Sequence, residues 1–137
     1  MTRQAVAKWQ GSGKEGNGTL STQSGVLAEA QYSYKTRFED GIGTNPEELI
    51  AAAHAGCFTM KISFLLGAKG FVPTSLETDC AITIESAGIT TSHLKLAAVV
   101  DGISQADFDA VVEEARANCH VSKLLNLETT LESTLNA

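Results

Sequence analysis

The sequence predicts an α+β fold, because segments with the two-residue period of a β-strand occur along the chain together with helical segments. Every second position from 76 to 84 is apolar except for Thr78, which is typical of a strand with one buried face. A capped, alanine-rich segment over 46–68 and a segment that begins at Ser104 predict two helices. No repeat, low-complexity tract or linker interrupts the chain, so we predict one domain over residues 1–137.

Composition excludes several classes of function. The net charge is −6 and no cluster of Lys or Arg occurs, which argues against binding to nucleic acid or to an anionic membrane surface. No unbroken apolar run approaches the ~18 residues that cross a bilayer, and the first residues lack the apolar core of a signal peptide. Three cysteines, an odd number, do not form a disulfide framework. We therefore expect a cytoplasmic protein in a reducing compartment, where paired cysteines serve catalysis, redox sensing or metal binding.

The N-terminal residues predict strands around a glycine-rich loop. Residues 5–10 have strand character, and residues 11–18 contain a formal G-x-G-x-x-G. A dinucleotide site needs a helix to begin at that loop, whereas residues 19–23 have strand character, so we predict a hairpin. We predict a longer strand over residues 26–38, because Tyr32, Tyr34, Thr36 and Phe38 alternate with Ser33, Lys35 and Arg37. Arg37 then lies on the face opposite the aromatic residues.

A strongly signalled helix begins after Asn45. Asn45 is a favourable N-cap, and Pro46 suits the first helical position because its missing N–H is not needed there. Glu47 and Glu48 complement the helix dipole, and Glu48 stands three residues after the cap, as in a capping box. The helix is expected to end before Gly70. Because the segment is apolar on nearly all sides, we expect it to be central and buried.

Downstream of this helix, four further segments have the apolar spacing of regular structure. They are strands over 76–85 and 94–100, a helix from residue 104 and a last strand over 127–135. Ser104, with Asp107 three residues on, is the expected N-cap of the second helix. A bend at 118–120 leads into a short helical turn.

Cys57 is the first candidate for chemistry. At ~100° per residue, its helix carries charged, polar and apolar side chains on one stripe about a third of the surface wide. The members of this stripe are Glu47, Ile50, His54, Cys57, Lys61 and Phe64. The mixture is unusual for a core, since buried charges need partners. The alternative is that Cys57 is a small buried hydrophobe on an alanine-rich packing face.

The second candidate is Cys119, which lies beside His120 at a predicted helix end. The amides of the following turn would favour a thiolate there, although a structural thiol is the alternative. Cys80 belongs to the apolar face of a strand, and we expect it to be inert. Arg37 is either a solvated residue or a cation that lowers the pKa of a cysteine and donates to an attacked substrate oxygen. Glu47 serves either the helix dipole or catalysis.

Four runs of residues together resemble the OsmC/Ohr family, the osmotically inducible and organic hydroperoxide resistance proteins, and the OsmC branch is the closer match. The runs are 36–39, 43–50, 52–58 and 119–122, and the resemblance spans essentially the whole chain. It implies an intertwined homodimer in which antiparallel sheets wrap around long central helices. It also implies a peroxidase of organic hydroperoxides, and of H₂O₂ as a further substrate, that needs no metal, haem or flavin cofactor.

The resemblance also assigns roles by position. Cys57 matches the peroxidatic cysteine and Cys119 the resolving cysteine, which implies a Cys57 sulfenic acid and then a Cys57–Cys119 disulfide. Arg37 and Glu47 match the residues that activate the first thiol. An external dithiol would reduce the disulfide, and lipoylated proteins are the implied reductant. One departure is His120, where the family usually has proline; histidine frees the bend and adds a titratable neighbour.

Helix geometry places Glu47 and Cys57 too far apart to cooperate within one chain. Ten residues of continuous helix separate them, a distance of ~15 Å along the axis, which a single arginine cannot bridge. If two copies of the helix pack antiparallel about a two-fold axis, Glu47 of one chain approaches Cys57 of the other. We therefore predict an obligate dimer with two composite sites.

The sequence also allows two alternative functions that involve no catalysis. A zinc-stabilised module would use two ligands at i and i+3 on one helix and two more at the distal bend. These ligands are His54, Cys57, Cys119 and His120. Adjacent Cys and His are poorly spaced for chelation by both side chains. The other reading is a stress-linked domain whose apolar cleft binds a lipid-like ligand.

Overall fold

The computed structural model describes residues 1–137 as two compact units, Met1–Leu49 and Ile50–Ala137. Its elements in chain order are β1 (Ala5–Gln10), β2 (Asn17–Thr22), β3 (Ala30–Tyr32), α1 (Tyr34–Phe38), α2 (Pro46–Ala68), β4 (Ser75–Glu85), β5 (Gly88–Val99), α3 (Gln105–Asn118), α4 (His120–Leu124) and β6 (Glu128–Leu135). Every predicted helix and strand occurs near its predicted position, with one exception in the first unit. Whether residues 1–137 form one domain stays a prediction.

The first unit contains an antiparallel sheet in the order β1-β2-β3. The predicted glycine-rich hairpin is confirmed, because β1 pairs with β2 directly across the loop and no helix follows. A Cβ at Gly18 would be 2.5 Å from the carbonyl oxygen of Lys8, so the packing of β1 against β2 requires glycine at this position.

The predicted strand over 26–38 is wrong. Its pairing is limited to β3, and α1 follows at once. The reason is a capping box: the Ser33 hydroxyl accepts from the Thr36 N–H at 3.3 Å, and the Thr36 hydroxyl accepts from the Ser33 N–H at 2.8 Å. These two bonds satisfy the backbone groups that begin a helix. Arg37 therefore lies on a short helix and not on the face of a strand.

The predicted bounds of α2 are confirmed, and its caps explain them. At the start, the Glu48 N–H donates to Oδ1 of Asn45 at 2.7 Å. The Glu48 carboxylate accepts from the Thr44 hydroxyl at 2.6 Å, so only half of the expected capping box forms. At the end, Gly70 has φ +87°, and the Phe71 N–H returns to the Leu66 carbonyl at 3.0 Å. This is the left-handed turn that commonly ends a helix.

The expectation that α2 is buried on nearly all sides is not met within one chain. The residues that the core covers completely lie four apart, and they are His54, Phe58, Ile62 and Leu66. The opposite side exposes Met60 and Phe64, at 63% and 72%. A single sheet covers only one side of a helix, which explains the difference.

By length and composition, α2 is also apolar enough to cross a membrane. Of its most apolar 18-residue stretch, 22% is buried. The apolar runs of the sequence did not indicate this, because charged and polar residues interrupt them.

The second unit contains a mixed sheet in the order β4-β5-β6. β4 and β5 are antiparallel, whereas β6 pairs parallel with β5. The expectation of antiparallel sheets is therefore wrong for this pair, because α3 and α4 carry the chain across the sheet before β6 begins. The buried positions of α3 are Phe108, Val111, Val112 and Ala115. With alternate residues of β5 and one face of α2, they form the core.

Candidate active site

An ion pair joins α1 to the first turn of α2. Nε and Nη2 of Arg37 both donate to Oε1 of Glu47, at 2.9 and 2.5 Å. The Glu47 side chain is 6% exposed, whereas that of Arg37 is 40% exposed. The hydrogen bond to Glu47 raises the pKa of Arg37 above its usual value. The pair therefore holds a permanent cation in place, with Nη1 left free of the carboxylate.

Asn45 sets the position of this pair. Its Oδ1 caps α2, and its Nδ2 donates to the carbonyl oxygen of Thr36 at 2.9 Å. One side chain thus fastens the start of α2 to α1 at the residue before Arg37. The structure brings together Arg37 and Glu47, the two candidates that the resemblance assigned to thiol activation.

The two candidate cysteines of the second unit line one cavity of about 270 Å³. The lining residues are Cys57, Met60, Lys61, Phe64, Cys119 and His120. Cys57 is half-buried on α2, and Cys119 is buried. The apolar side chains of Met60 and Phe64 and the single cation of Lys61 make the cavity suitable for an apolar molecule with one polar end.

Cys119 ends one helix and begins the next. Its N–H donates to the Ala115 carbonyl at 3.0 Å, which closes α3. Its Sγ accepts from the Ser122 N–H at 3.4 Å, as the N-cap of α4. The thiol also donates to Oγ of Ser122 at 3.0 Å. The predicted amide contact at this turn is therefore present, and α4 fixes the direction of the sulfur.

A family model described as OsmC-like protein matches residues 39–134. The chain is also 44% identical to peroxiredoxin OsmC of Escherichia coli strain K12 over 139 residues, with 98% of this chain and 97% of that protein covered. The chain belongs to the OsmC family. It is further 32% identical to organic hydroperoxide resistance protein-like 2 of Staphylococcus epidermidis over 103 residues, with 70% and 71% covered. The resemblance seen in the sequence is confirmed.

Solved structures of OsmC-like proteins share the fold of this chain. An OsmC-like protein of unknown function from Vibrio cholerae matches with a TM-score of 0.75 and 16% identity, with 98% of this chain and 99% of that chain covered. The organic hydroperoxide resistance protein OsmC from Legionella pneumophila matches with a TM-score of 0.66 and 22% identity, with 98% and 97% covered. The predicted OsmC-like α+β class is confirmed.

His54 of this OsmC-family chain is a residue that sequence analysis did not assign correctly. It is fully buried, with Nδ1 at 2.6 Å from Oγ of Ser92 on β5 and Nε2 at 2.7 Å from Oγ of Ser122 on α4. Burial lowers its pKa, so the ring is neutral. A histidine four residues before Phe58 on the buried face was the only signal in the sequence, and it is equally typical of a purely structural residue.

The zinc-stabilised alternative is not supported by the arrangement of the OsmC chain. Both ring nitrogens of His54 already contact serine hydroxyls, and nowhere do three or more His, Cys, Asp or Glu side chains cluster closely enough to hold a metal ion. Cys80 lies apart from the cavity, with Sγ at 3.3 Å from Oγ of Ser92. Burial raises the pKa of the Cys80 thiol, which agrees with its expected inertness because the thiolate is the reactive form.

Proposed function

We propose that this OsmC-family chain is a thiol-dependent peroxidase that reduces organic hydroperoxides. The observation that carries the proposal is the cavity lined by both Cys57 and Cys119. The names of its relatives, peroxiredoxin OsmC and organic hydroperoxide resistance protein-like 2, support a peroxide-related redox role. Met60 and Phe64 favour a hydroperoxide with an apolar substituent, because they would cover its carbon chain, while H₂O₂ makes no such contact.

The proposed cycle has three steps. The Cys57 thiolate attacks the terminal peroxide oxygen, the O–O bond breaks, and an alcohol leaves while Cys57 becomes a sulfenic acid. The Cys119 sulfur then attacks the Cys57 sulfur, so that the S–O bond breaks, water leaves and a disulfide forms. An external dithiol reduces the disulfide by exchange. The family resemblance favours a lipoylated protein as this reductant, and a cytoplasmic location remains a prediction.

Arg37 and Glu47 are proposed to activate the first thiol. A guanidinium beside a thiolate stabilises the anion and polarises the O–O bond of the substrate. Glu47 would orient the guanidinium through the two hydrogen bonds to its Oε1. In this role Nη1 is the donor available to sulfur or to the peroxide.

A homodimer with composite sites is proposed to complete this arrangement. α2 is continuous over Glu47 and Cys57, so these residues are ~15 Å apart along its axis. Oε2 of Glu47 is buried without a hydrogen-bond partner in the chain, which is costly unless another group reaches it. Met60 and Phe64 leave an apolar surface on the same helix. A second chain packed on α2 would cover this surface and bring Arg37 and Glu47 to the partner's thiol.

Mass spectrometry after one equivalent of cumene hydroperoxide tests the proposed function. We expect the intact chain to lose two hydrogens, and a peptide digest to contain Cys57 joined to Cys119, because both sulfurs line the same cavity. Treatment with a dithiol should restore the original mass. An unchanged mass would favour the lipid-like-ligand binding module, and oxygen addition only at residues outside the cavity would contradict the assigned cysteines.

Complementation between two inactive variants tests the composite site. Glu47→Gln and Cys57→Ser chains are each expected to be nearly inactive alone. Refolded together in equal amounts, they should recover about a quarter of wild-type activity, since half of the dimers are mixed and each mixed dimer has one intact site. The measurement is peroxide consumption, with the dimer followed by sedimentation.

The matched control replaces the Glu47→Gln chain by one that carries both substitutions. Mixed dimers then contain no intact site, so no activity should return. Recovery no greater than the sum of the separate variants would mean that Glu47 serves its own chain. An active monomer in sedimentation at low micromolar concentration would contradict the dimer altogether.

A further inference from the structure

A line of buried hydrogen bonds runs from Cys119 to the sheet through His54. The Cys119 thiol donates to Oγ of Ser122 at 3.0 Å, and this oxygen lies 2.7 Å from Nε2 of His54. On the other side of the ring, Nδ1 lies 2.6 Å from Oγ of Ser92. Three elements distant in sequence, α4, α2 and β5, thus contribute one continuous path. The path ends at the proposed resolving thiol.

The donor directions along this path follow from the Cys119 thiol. Because the thiol donates to Ser122, the Ser122 hydroxyl hydrogen is available to Nε2 of His54. We assign this hydrogen to the contact with Nε2, which places the ring hydrogen on Nδ1, and that N–H then donates to Ser92. In this assignment the Ser122 hydroxyl both donates and accepts. Nε2 is therefore a proton acceptor aimed at the serine that contacts the thiol.

We propose that His54 is a positioning residue that relays, through Ser122, the proton that Cys119 loses when it closes the disulfide. This inference rests on the proposed peroxidase function. As the Cys119 sulfur bonds to the Cys57 sulfur, its proton passes to Oγ of Ser122 and the Ser122 proton passes to Nε2. The Cys57 S–O bond breaks, and the departing hydroxide takes up a proton from solvent, so that water is released. His54 then returns the relayed proton to solvent through Ser122, which restores the neutral ring. The Cys57 sulfur is reduced and the Cys119 sulfur is oxidised, and the peroxide has already supplied the oxidising equivalents.

Burial explains why Cys119 needs such a path. The residue is 1% exposed, so direct transfer of its proton to bulk water is restricted. A neutral imidazole can accept the proton and then donate to Ser92 and Ser122 with both nitrogens, without any change of position. Burial lowers the pKa of His54, so Nε2 is unprotonated before closure and the protonated ring is short-lived.

No charged group contributes to the pKa shift of His54, so the ring itself is the proposed acceptor of the Cys119 proton. Burial is the sole cause of its pKa shift. The titratable groups hydrogen-bonded to its two serine partners are thiols: Cys119 to Ser122, and Cys80 of β4 to Ser92. α3 presents apolar residues to the core. The relay uses Cys119, Ser122 and His54, and Cys80 takes no part in it.

The experiment measures disulfide closure separately from peroxide attack. Wild type, His54→Gln, Ser122→Ala and Ser122→Thr chains receive one equivalent of cumene hydroperoxide at pH values from 6 to 9. Acid-quenched samples are analysed by mass spectrometry for the Cys57 sulfenic acid and for the disulfide. The matched control is Thr78→Val, because the Thr59–Thr78 hydrogen bond of 2.7 Å also joins α2 to the sheet but touches no thiol.

We expect sulfenic acid to form at the wild-type rate in all variants. At pH 6, disulfide closure should be about tenfold slower or more in His54→Gln and Ser122→Ala. This loss is smaller than the roughly 10²-fold that general acid–base catalysis usually contributes. The deficit should shrink towards pH 9, since hydroxide then removes the thiol proton without the relay. Ser122→Thr keeps the hydroxyl and should close nearly as fast as wild type, and Thr78→Val should match wild type.

Three outcomes would overturn the relay. Closure at the wild-type rate in both His54→Gln and Ser122→Ala contradicts it, and so does an equal deficit at every pH, which indicates a purely structural role. If the wild-type chain forms neither a sulfenic acid nor a disulfide at Cys57, the proposed function fails and the relay fails with it. Normal sulfenic acid with unchanged closure removes the relay alone.

Discussion

Cys57→Ser is expected to leave the chain unable to consume organic hydroperoxide above the uncatalysed rate. A serine hydroxyl stays protonated and is a far weaker nucleophile than a thiolate, and no other thiol of the cavity is proposed to attack the peroxide. The expected loss is on the order of 10³-fold or more, as is typical when a nucleophile is removed. The measurement is the initial rate of cumene hydroperoxide consumption with excess dithiol.

Cys80→Ser is the matched control for this variant. It makes the same atomic change at a half-buried thiol outside the cavity, where burial raises the thiol pKa. We expect it to retain wild-type activity, so that a general effect of losing a cysteine is separated from loss of the nucleophile. Undiminished consumption by Cys57→Ser would remove the role assigned to Cys57.

Cys119→Ser is expected to complete the first chemical step and then stop. Without reductant, each chain should consume one equivalent of hydroperoxide and gain the mass of one oxygen atom at Cys57, because no resolving thiol can condense with the sulfenic acid. Excess hydroperoxide should then convert Cys57 to sulfinic acid. Mass spectrometry of the intact chain measures both products, and turnover with a protein dithiol should be lost.

The wild-type chain provides the comparison, since it should lose two hydrogens under the same conditions. The assay must omit small dithiols, which reduce a sulfenic acid directly and would conceal the defect. If Cys119→Ser still forms an internal disulfide, for example between Cys57 and Cys80, then Cys119 is not the resolving cysteine.

Much of the fold was predictable because its signals are local. Asn45, Pro46 and Gly70 act on backbone groups within a few residues, so the bounds of α2 could be predicted from a short stretch of sequence. The alternation along β4 and the Ser104 cap of α3 are equally local. By contrast, the parallel pairing of β6 with β5 depends on the crossover through α3 and α4, and no pattern within β6 encodes it.

The placement of Arg37 shows where local reasoning failed. The alternation over residues 32–38 indicated a strand, but the reciprocal bonds of Ser33 and Thr36 begin a helix instead. The hydrogen bonds of these two hydroxyl groups stabilise the start of a helix, whereas only residues 30–32 of the segment pair with another strand. Arg37 nevertheless stays a predicted site residue, because the family resemblance that assigned it depends on position along the chain and not on local conformation.

Sequence patterns and family resemblance were enough to predict the OsmC family, the capped helix α2 and the candidate residues Cys57, Cys119, Arg37 and Glu47. The folded chain was needed to show that Cys57 and Cys119 line one cavity, and that His54 contacts Ser92 and Ser122. These two contacts of His54 span 38 and 68 residues of sequence. Caps and periodic faces are set by neighbours within a turn or two, whereas a buried polar path forms only when packing of distant elements excludes water. For the same reason, the role of His54 could not be inferred from the sequence, because its partners Ser92 and Ser122 are distant along the chain.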